Sequence, residues 1–169
     1  IGVMDSQIID EIEDEGLQLQ RKLLPNGVHT AYIGPGQIGP KKNPYVSLLE
    51  QLGLWGARSA TKFVPELYLF SSVEQRKALL AGLLDTDGSV NGRDEPEHGG
   101  PGCGQGHGRR GGRTCRCSFT SSSELLARGV VEIVRSLGGT ATIRAHDKKS
   151  GAPHFYVELQ TEFNPFRLE

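Results

Sequence analysis

Two carboxylates two residues apart, Asp85 and Asp87, stand with Gly88 at the end of the apolar run Ala78-Leu79-Leu80-Ala81-Gly82-Leu83-Leu84. Wound as a helix at about 100° per residue, this run places Ala78, Ala81, Gly82 and Asp85 on one side and the four leucines on the other. The two acids then fall at the helix C-terminus, where the dipole disfavours negative charge by about 0.3–1 kcal/mol each. Acids set against that field suggest a bound cation, and carboxylate oxygens suit a hard divalent ion. A plain helix-ending turn, with Gly88 at positive φ, is the other reading. A calcium loop of the helix-loop-helix kind fails, because Val90 and Pro96 occupy the sixth and twelfth places, where glycine and a bidentate glutamate are required.

The elements that must position these acids follow from the same pattern. A leucine face and a bare Ala/Gly face give this helix two neighbours. Gly82 in mid-helix costs roughly 1 kcal/mol relative to alanine, and close approach of a second helix would offset that cost. Ser71, Ser72 and Glu74 mark its start, after a connector from Gly56 to Phe63 and a short lead-in from Pro65 to Phe70.

Leu80-Ala81-Gly82-Leu83-Leu84-Asp85-Thr86-Asp87-Gly88 resembles the nonapeptide of the LAGLIDADG homing endonucleases, departing from it at Leu84 and Thr86. Lys62-Phe63-Val64-Pro65-Glu66 resembles the block that precedes the second motif in intein-borne members. Phe119-Thr120-Ser121-Ser122-Ser123 through Leu137-Gly138-Gly139 resembles the block that follows it. The likeness covers most of residues 43 to 168. It implies an α+β fold of αββαββα half-units with curved antiparallel or mixed sheets. It also implies magnesium-dependent double-strand cleavage of DNA, with the C-terminal aspartates of two abutting motif helices meeting at the scissile phosphates. Asp87 matches that aspartate, with Gly88 and nearby carbonyls completing the metal site. Lys62 matches the family lysine that polarises water or steadies developing charge, and Ala78, Ala81, Gly82 and Asp85 match the helix interface. A catalytically degenerate DNA-binding module, a transcriptional regulator and an RNA maturase are the alternatives on this scaffold. Splicing, expected of the parent of an intein-type domain, needs nucleophiles at chain ends that Ile1 and Glu169 do not offer.

The formal charge of −1 hides an uneven distribution. Asp5, Asp10, Glu11, Glu13, Asp14 and Glu15 are six of the 20 acids, so residues 16 to 169 carry 19 basic against 14 acidic side chains, a net +5. Residues 100 to 150 alone carry +6, which fits a polyanionic partner. The length of 169 residues is enough for one ordinary domain with a core. No run approaches a membrane span, and no signal layout opens the sequence. Three cysteines, an odd count, make a disulfide framework unattractive and point to a reducing, cytoplasmic setting.

Along the chain, Ile1 to Gly16 reads as an acidic amphipathic helix capped by Asp5 or Ser6, with Ile8, Ile9 and Ile12 inward. Leu17–Leu24 and Val28–Ile33 form a hairpin across Pro25-Asn26-Gly27. Pro44 to Leu52 is a helix ended near Gly53. After the motif, a strand from Ser89 is interrupted by a Gly/Arg-rich insertion over 93–113, and Thr114–Thr120 is its partner. A helix capped by Ser121 or Ser122 runs to Leu137 with Leu125, Leu126, Val130, Ile133, Val134 and Leu137 at core spacing. Thr140–Ala145 and His154–Gln160 form a second hairpin. Ser6-Gln7-Ile8-Ile9 aligns with Ser123-Glu124-Leu125-Leu126 at an offset of 117, and Asn43-Pro44-Tyr45 with Asn164-Pro165-Phe166 at 121. We therefore expect residues 1–70 to be the C-terminal part of one half-unit plus connector, and 71–169 the second half-unit, built on the motif helix at 78–88.

On that plan the first acidic motif belongs upstream, in the parent chain, or a homodimer supplies its counterpart. The fragment alone is expected to cut both strands weakly or not at all. Double-stranded DNA would lie across the hairpin sheets, with Arg21, Lys22, Arg93, Arg116 and Arg144 as contacts and Lys148 and Lys149 near phosphates. His98, Cys103, His107, Cys115 and Cys117 invite a zinc reading. Their irregular spacing speaks against it, and Gly106–Arg113 suits a flexible basic arm.

Overall fold

The computed structural model describes residues 2–3, 6–14, 19–34, 43–90, 115–146, 151 and 153–167. Its chain divides into two compact units, Ile1–Gly56 and Ala57–Arg167. The architecture is α+β, with two antiparallel sheets and five α-helices among the described residues. No described helix is long and apolar enough to cross a membrane.

In the first unit, β1 (Gly2–Val3), β2 (Leu19–Leu23) and β3 (His29–Ile33) pair in the order β1-β3-β2. The β2–β3 hairpin turns where Asn26-Gly27 predicts it. Gly27 adopts φ 81, and the Val28 amide donates to Asn26 Oδ1 at 3.3 Å. Helix α1 (Gln7–Asp14) is shorter than the sequence suggests, because Gly2–Val3 is taken by a strand on β3. Ile9 and Ala31 are buried. Asn43 then ties β3 to α2 (Pro44–Gln51): its Nδ2 donates to the Ile33 carbonyl at 2.7 Å, and its Oδ1 accepts the Tyr45 amide at 2.9 Å. Pro44 sits in the first turn, where no amide hydrogen is needed.

The second unit opens with a 3-10 turn (Ser59–Thr61) and α3 (Glu66–Leu69), followed by α4 (Val73–Asp87). Helix α4 runs into β4 (Gly88–Val90). Then come β5 (Cys115–Ser121), α5 (Glu124–Ser136), β6 (Thr140–His146) and β7 (His154–Thr161). The strands order as β4-β5-β7-β6, all antiparallel. Side chains alternate across this sheet. Phe119, Val157, Leu159 and Ala141 face inward, where they form one core with Leu126, Val130, Ile133 and Val134 of α5 and Leu80 and Leu84 of α4. Each fully buried side chain of this size contributes roughly 1.5–3 kcal/mol. Leu125, assigned to the core by spacing, is exposed, and Ala127 and Gly129 are buried instead. Ser123, not Ser121 or Ser122, accepts the first free amide, that of Leu126.

The two units repeat one topology. In each, a strand leads into a helix, a hairpin follows, and the leading strand pairs with the hairpin's second strand: β1-α1-β2-β3 and β5-α5-β6-β7. Both hairpins are followed by Asn-Pro-aromatic with the same local bond, the asparagine Oδ1 accepting the aromatic residue's amide at 2.9 Å (Tyr45) and 3.2 Å (Phe166).

Candidate functional site

Helix α4 begins with a reciprocal cap, Ser72 Oγ accepting the Gln75 amide and Gln75 Oε1 accepting the Ser72 amide, each at 3.2 Å. Arg76 bridges two backbone segments, donating through Nε to the Ser71 carbonyl at 3.1 Å and through Nη1 to the Ser136 carbonyl at 3.3 Å. Glu74, in the first turn, has its carboxyl held below the usual range by a hydrogen bond to the free helix-end amide and then by Ser72. Leu80 and Leu84 are buried, and Leu79 and Leu83 pack beside them.

The small residues do not share one environment. Ala81 is buried, whereas Ala78 and Gly82 are exposed, and nothing lies within 4 Å of where a Gly82 Cβ would sit. At the other end, Gly88 has φ −94 and ψ 165, so positive φ is not why glycine stands there. A Cβ would lie 2.5 Å from the Leu84 carbonyl oxygen and 2.8 Å from Leu84 Cα. Glycine is dictated by the abruptness with which helix becomes strand.

That junction separates the two acids. Asp85 accepts the Arg167 backbone amide, at 3.1 Å to one oxygen and 3.4 Å to the other, fastening the C-terminal segment along α4. Lys77 adds to this seam, its Nζ lying 4.8 Å from the centre of the Phe163 ring. Asp87, the last helical residue, is exposed and has no hydrogen-bond or ion-pair partner among the described residues. It immediately precedes Gly88, which pairs with Phe119 on the sheet edge.

Lys62 approaches the same end of β5 by another route. Its carbonyl accepts the Ser123 hydroxyl, and Val64 fits against Gly129, where an added Cβ would meet Val64 Cγ2 at 2.6 Å. Phe119 and Ser123, which anchor the two candidates, are four residues apart and span at most about 14 Å. The Lys62 side chain is exposed.

The sheet face opposite the core carries Thr142, Arg144 and His146 on β6 and Tyr156, Glu158 and Gln160 on β7, by register. Arg144 lies 3.8 Å from Glu158, and His146 meets Tyr156 edge-on at 6.2 Å between ring centres. In the first unit, Lys22 pairs with Thr30 on the outer face. Arg21 shares the face of buried Ala31 and forms an ion pair with Asp10 of α1. Arg116 pairs with Gln160, but its side chain lies outside the described residues, as do Arg93, Lys148 and Lys149. Of the cysteine and histidine cluster, His98, Cys103, His107 and the Cys115 side chain are likewise outside them. Cys117 faces the core, its thiol pushed up to about 11 by burial, which does not suit a thiolate ligand. Among the described residues, no three His, Cys, Asp or Glu side chains come together.

The Ser123 tether and the Asp85–Arg167 bond escape sequence reasoning. Sequence spacing places the cap at Ser121 or Ser122, and contacts spanning 61 and 82 residues leave no periodic trace.

A model of the family described as homing endonuclease matches residues 64–161, more than half of the 169. The chain belongs to the homing endonuclease family. The match begins two residues after Lys62 and takes in α4, the whole four-stranded sheet and α5. The chain is also 32% identical over 125 residues to the replicative DNA helicase DnaB of Mycobacterium intracellulare. That alignment covers 72% of this chain and 17% of the helicase, so the chain spans less than a fifth of that relative's length. The homing endonuclease assignment covers residues 64–161, and the likeness to DnaB concerns a limited segment of that helicase.

Proposed function

We propose that this chain is a DNA endonuclease domain of the LAGLIDADG type, and that it hydrolyses phosphodiester bonds at a specific site in double-stranded DNA. The observation that carries this reading is the split between the two motif acids. Asp85 is engaged with backbone, while Asp87 is held exposed at a helix end whose field opposes its charge. An ionised carboxylate so placed favours a cation. Magnesium fits this donor set, since it keeps most of its waters and takes one or two carboxylates together with substrate phosphates. Asp87, with a carbonyl at Gly88, would hold it. When bound, such an ion supplies Lewis acidity and an activated water.

The chain's own residues have separable tasks. Asp87 brings negative charge to the edge of the sheet. Lys62 offers a fixed positive charge for the developing oxyanion. Lys22 and Arg144, on outer strand faces, contact the DNA, joined by Arg93 and by Arg116, Lys148 and Lys149 from the net-positive stretch. Ala78 and Gly82 offer a surface on which a second motif helix, from the parent chain or from another copy, packs closely. The β-α-β-β recurrence supports two half-units, the first ending within residues 1–70 and the second formed by 71–169. The limited coverage of DnaB supports a domain of the intein-borne kind, inserted in a larger host whose parent also splices.

The test is magnesium-dependent cleavage of supercoiled plasmids carrying a random-sequence target library, by this chain and by the full-length parent that supplies the second motif. We expect cutting or nicking that Asp87→Ala reduces at least a hundredfold, with DNA affinity changed little. DNA binding without any magnesium-dependent cut, even in the full-length parent, would favour a degenerate module or a regulator, and tighter binding to folded intron RNA would favour a maturase.

A further inference from the structure

Ser123 is fully buried, at 0% exposure, and its hydroxyl makes two bonds in opposite senses. It accepts the Leu126 amide at 3.2 Å and donates to the carbonyl of Lys62, 61 residues away. Capping a helix needs only the acceptor, which Asp or Asn supplies as well. Donating to a carbonyl at the same time from one small atom requires a hydroxyl. The second bond therefore calls for a use beyond ending α5.

Its effect falls on the backbone that carries Lys62. Before the lysine, Thr61 is closed onto Arg58, its amide donating to the Arg58 carbonyl at 2.8 Å and its Oγ1 accepting the Arg58 amide at 3.0 Å. After it, Val64 is seated against the bare backbone of Gly129. Lys62 itself is held through its carbonyl by Ser123. An exposed lysine on a four-carbon stem would sweep a large volume if its backbone moved too. Here three successive points are fixed to α5 or to the preceding turn, and only the side chain is left to search.

We infer that Ser123 is a positioning residue for Lys62 in phosphodiester cleavage. The inference rests on the endonuclease reading given above, with Lys62 as a working group. The buried hydroxyl sets where the ammonium can reach relative to the sheet edge that carries Asp87. Losing the tether lets the lysine drift by an ångström or so, a displacement that costs on the order of tenfold to a hundredfold in turnover.

The test is a double-mutant cycle in magnesium-dependent cleavage by the full-length parent, read as kcat and KM for DNA well below the melting temperature. Ser123→Ala is expected to lower kcat about tenfold or more with KM within about twofold, and Ser123→Thr, which keeps the donor, to restore most of it. Lys62→Ala should lower kcat further, and adding Ser123→Ala to it should cause no additional loss. If Ser123→Ala proves too unstable to assay, Gly129→Ala displaces Val64 from the other side and should reproduce the kcat effect. Two results overturn the inference while leaving the endonuclease reading intact. One is sensitivity to Lys62→Ala with normal turnover in Ser123→Ala or Gly129→Ala. The other is a full, additive Ser123 effect in the Lys62→Ala background. Insensitivity to Lys62→Ala, or no cleavage at all, overturns the working role of Lys62 and this inference with it.

Discussion

Cys117 lies in the middle of β5 at 0% exposure, between strands that leave its thiol nowhere to be solvated as an anion. Burial alone pushes its pKa up to about 11. The folded protein therefore keeps this proton in a range where the unfolded chain, with an ordinary thiol, releases it. Between roughly pH 9 and 11 the unfolded state binds fewer protons, so stability falls as pH rises and this contribution is fully present only below that window. The loss should amount to roughly 2–3 kcal/mol across it. Urea midpoints measured from pH 8 to 11 should show the decline, and Cys117→Val should decline less by that margin. Equal slopes in the two proteins would place the titration elsewhere. Asp85 and Asp87 make the same point about environment. They are two residues apart and chemically identical, yet one is a fastening for the Arg167 amide and the other is left exposed.

At the scale of the element, α4 combines an optimised start with an unoptimised middle. Its N-terminus has both halves of a capping box, and its buried face is leucine, yet Gly82 stands on the exposed side with open space around it. For this chain alone, Gly82→Ala should stabilise the fold by about 0.5–1 kcal/mol, because alanine restricts the unfolded chain and nothing obstructs its methyl. Thermal melts test that directly. The functional expectation runs the other way: the same methyl holds a second motif helix off, so cleavage or self-association should weaken while stability rises. A variant that is both more stable and fully active would remove the reason for glycine there. The features of α4 that were legible in the sequence are local ones. Ser72 as cap, the leucine stripe and the carboxylates at the end follow from spacing within a few turns, as does the hairpin at Asn26-Gly27. What was not legible depends on parts distant in sequence. The strand at Gly2–Val3 exists only because β3 offers an edge, and Gly88 is required by the proximity of Leu84 rather than by a turn. Arg21 reads as a surface cation until register places it beside Ala31 and Asp10.

Taken whole, the molecule consists of two units with the same strand and helix order but unequal means of holding themselves together. The second, Ala57–Arg167, has a four-stranded sheet covered by α4 and α5 and a continuous core centred on Phe119, Ile133 and Val157. The first, Ile1–Gly56, has strands of two to five residues and helices of eight, with Ile9 and Ala31 as its fully buried apolar side chains among the described residues. Eight-residue helices are marginal without tertiary support, and a small sheet needs a well-filled apolar face to stand alone. Unfolding should therefore not be two-state. The single tryptophan, Trp55, belongs to the first unit and reports on it selectively. In urea, its fluorescence should change at a lower concentration than far-UV ellipticity, most of which comes from the second unit. Hydrogen exchange should likewise protect β5, β7 and α5 well above β2 and β3. Residues 57–169 expressed alone should keep the upper transition unchanged. Coincident fluorescence and ellipticity midpoints would mean that the first unit draws its stability from being part of one cooperative structure.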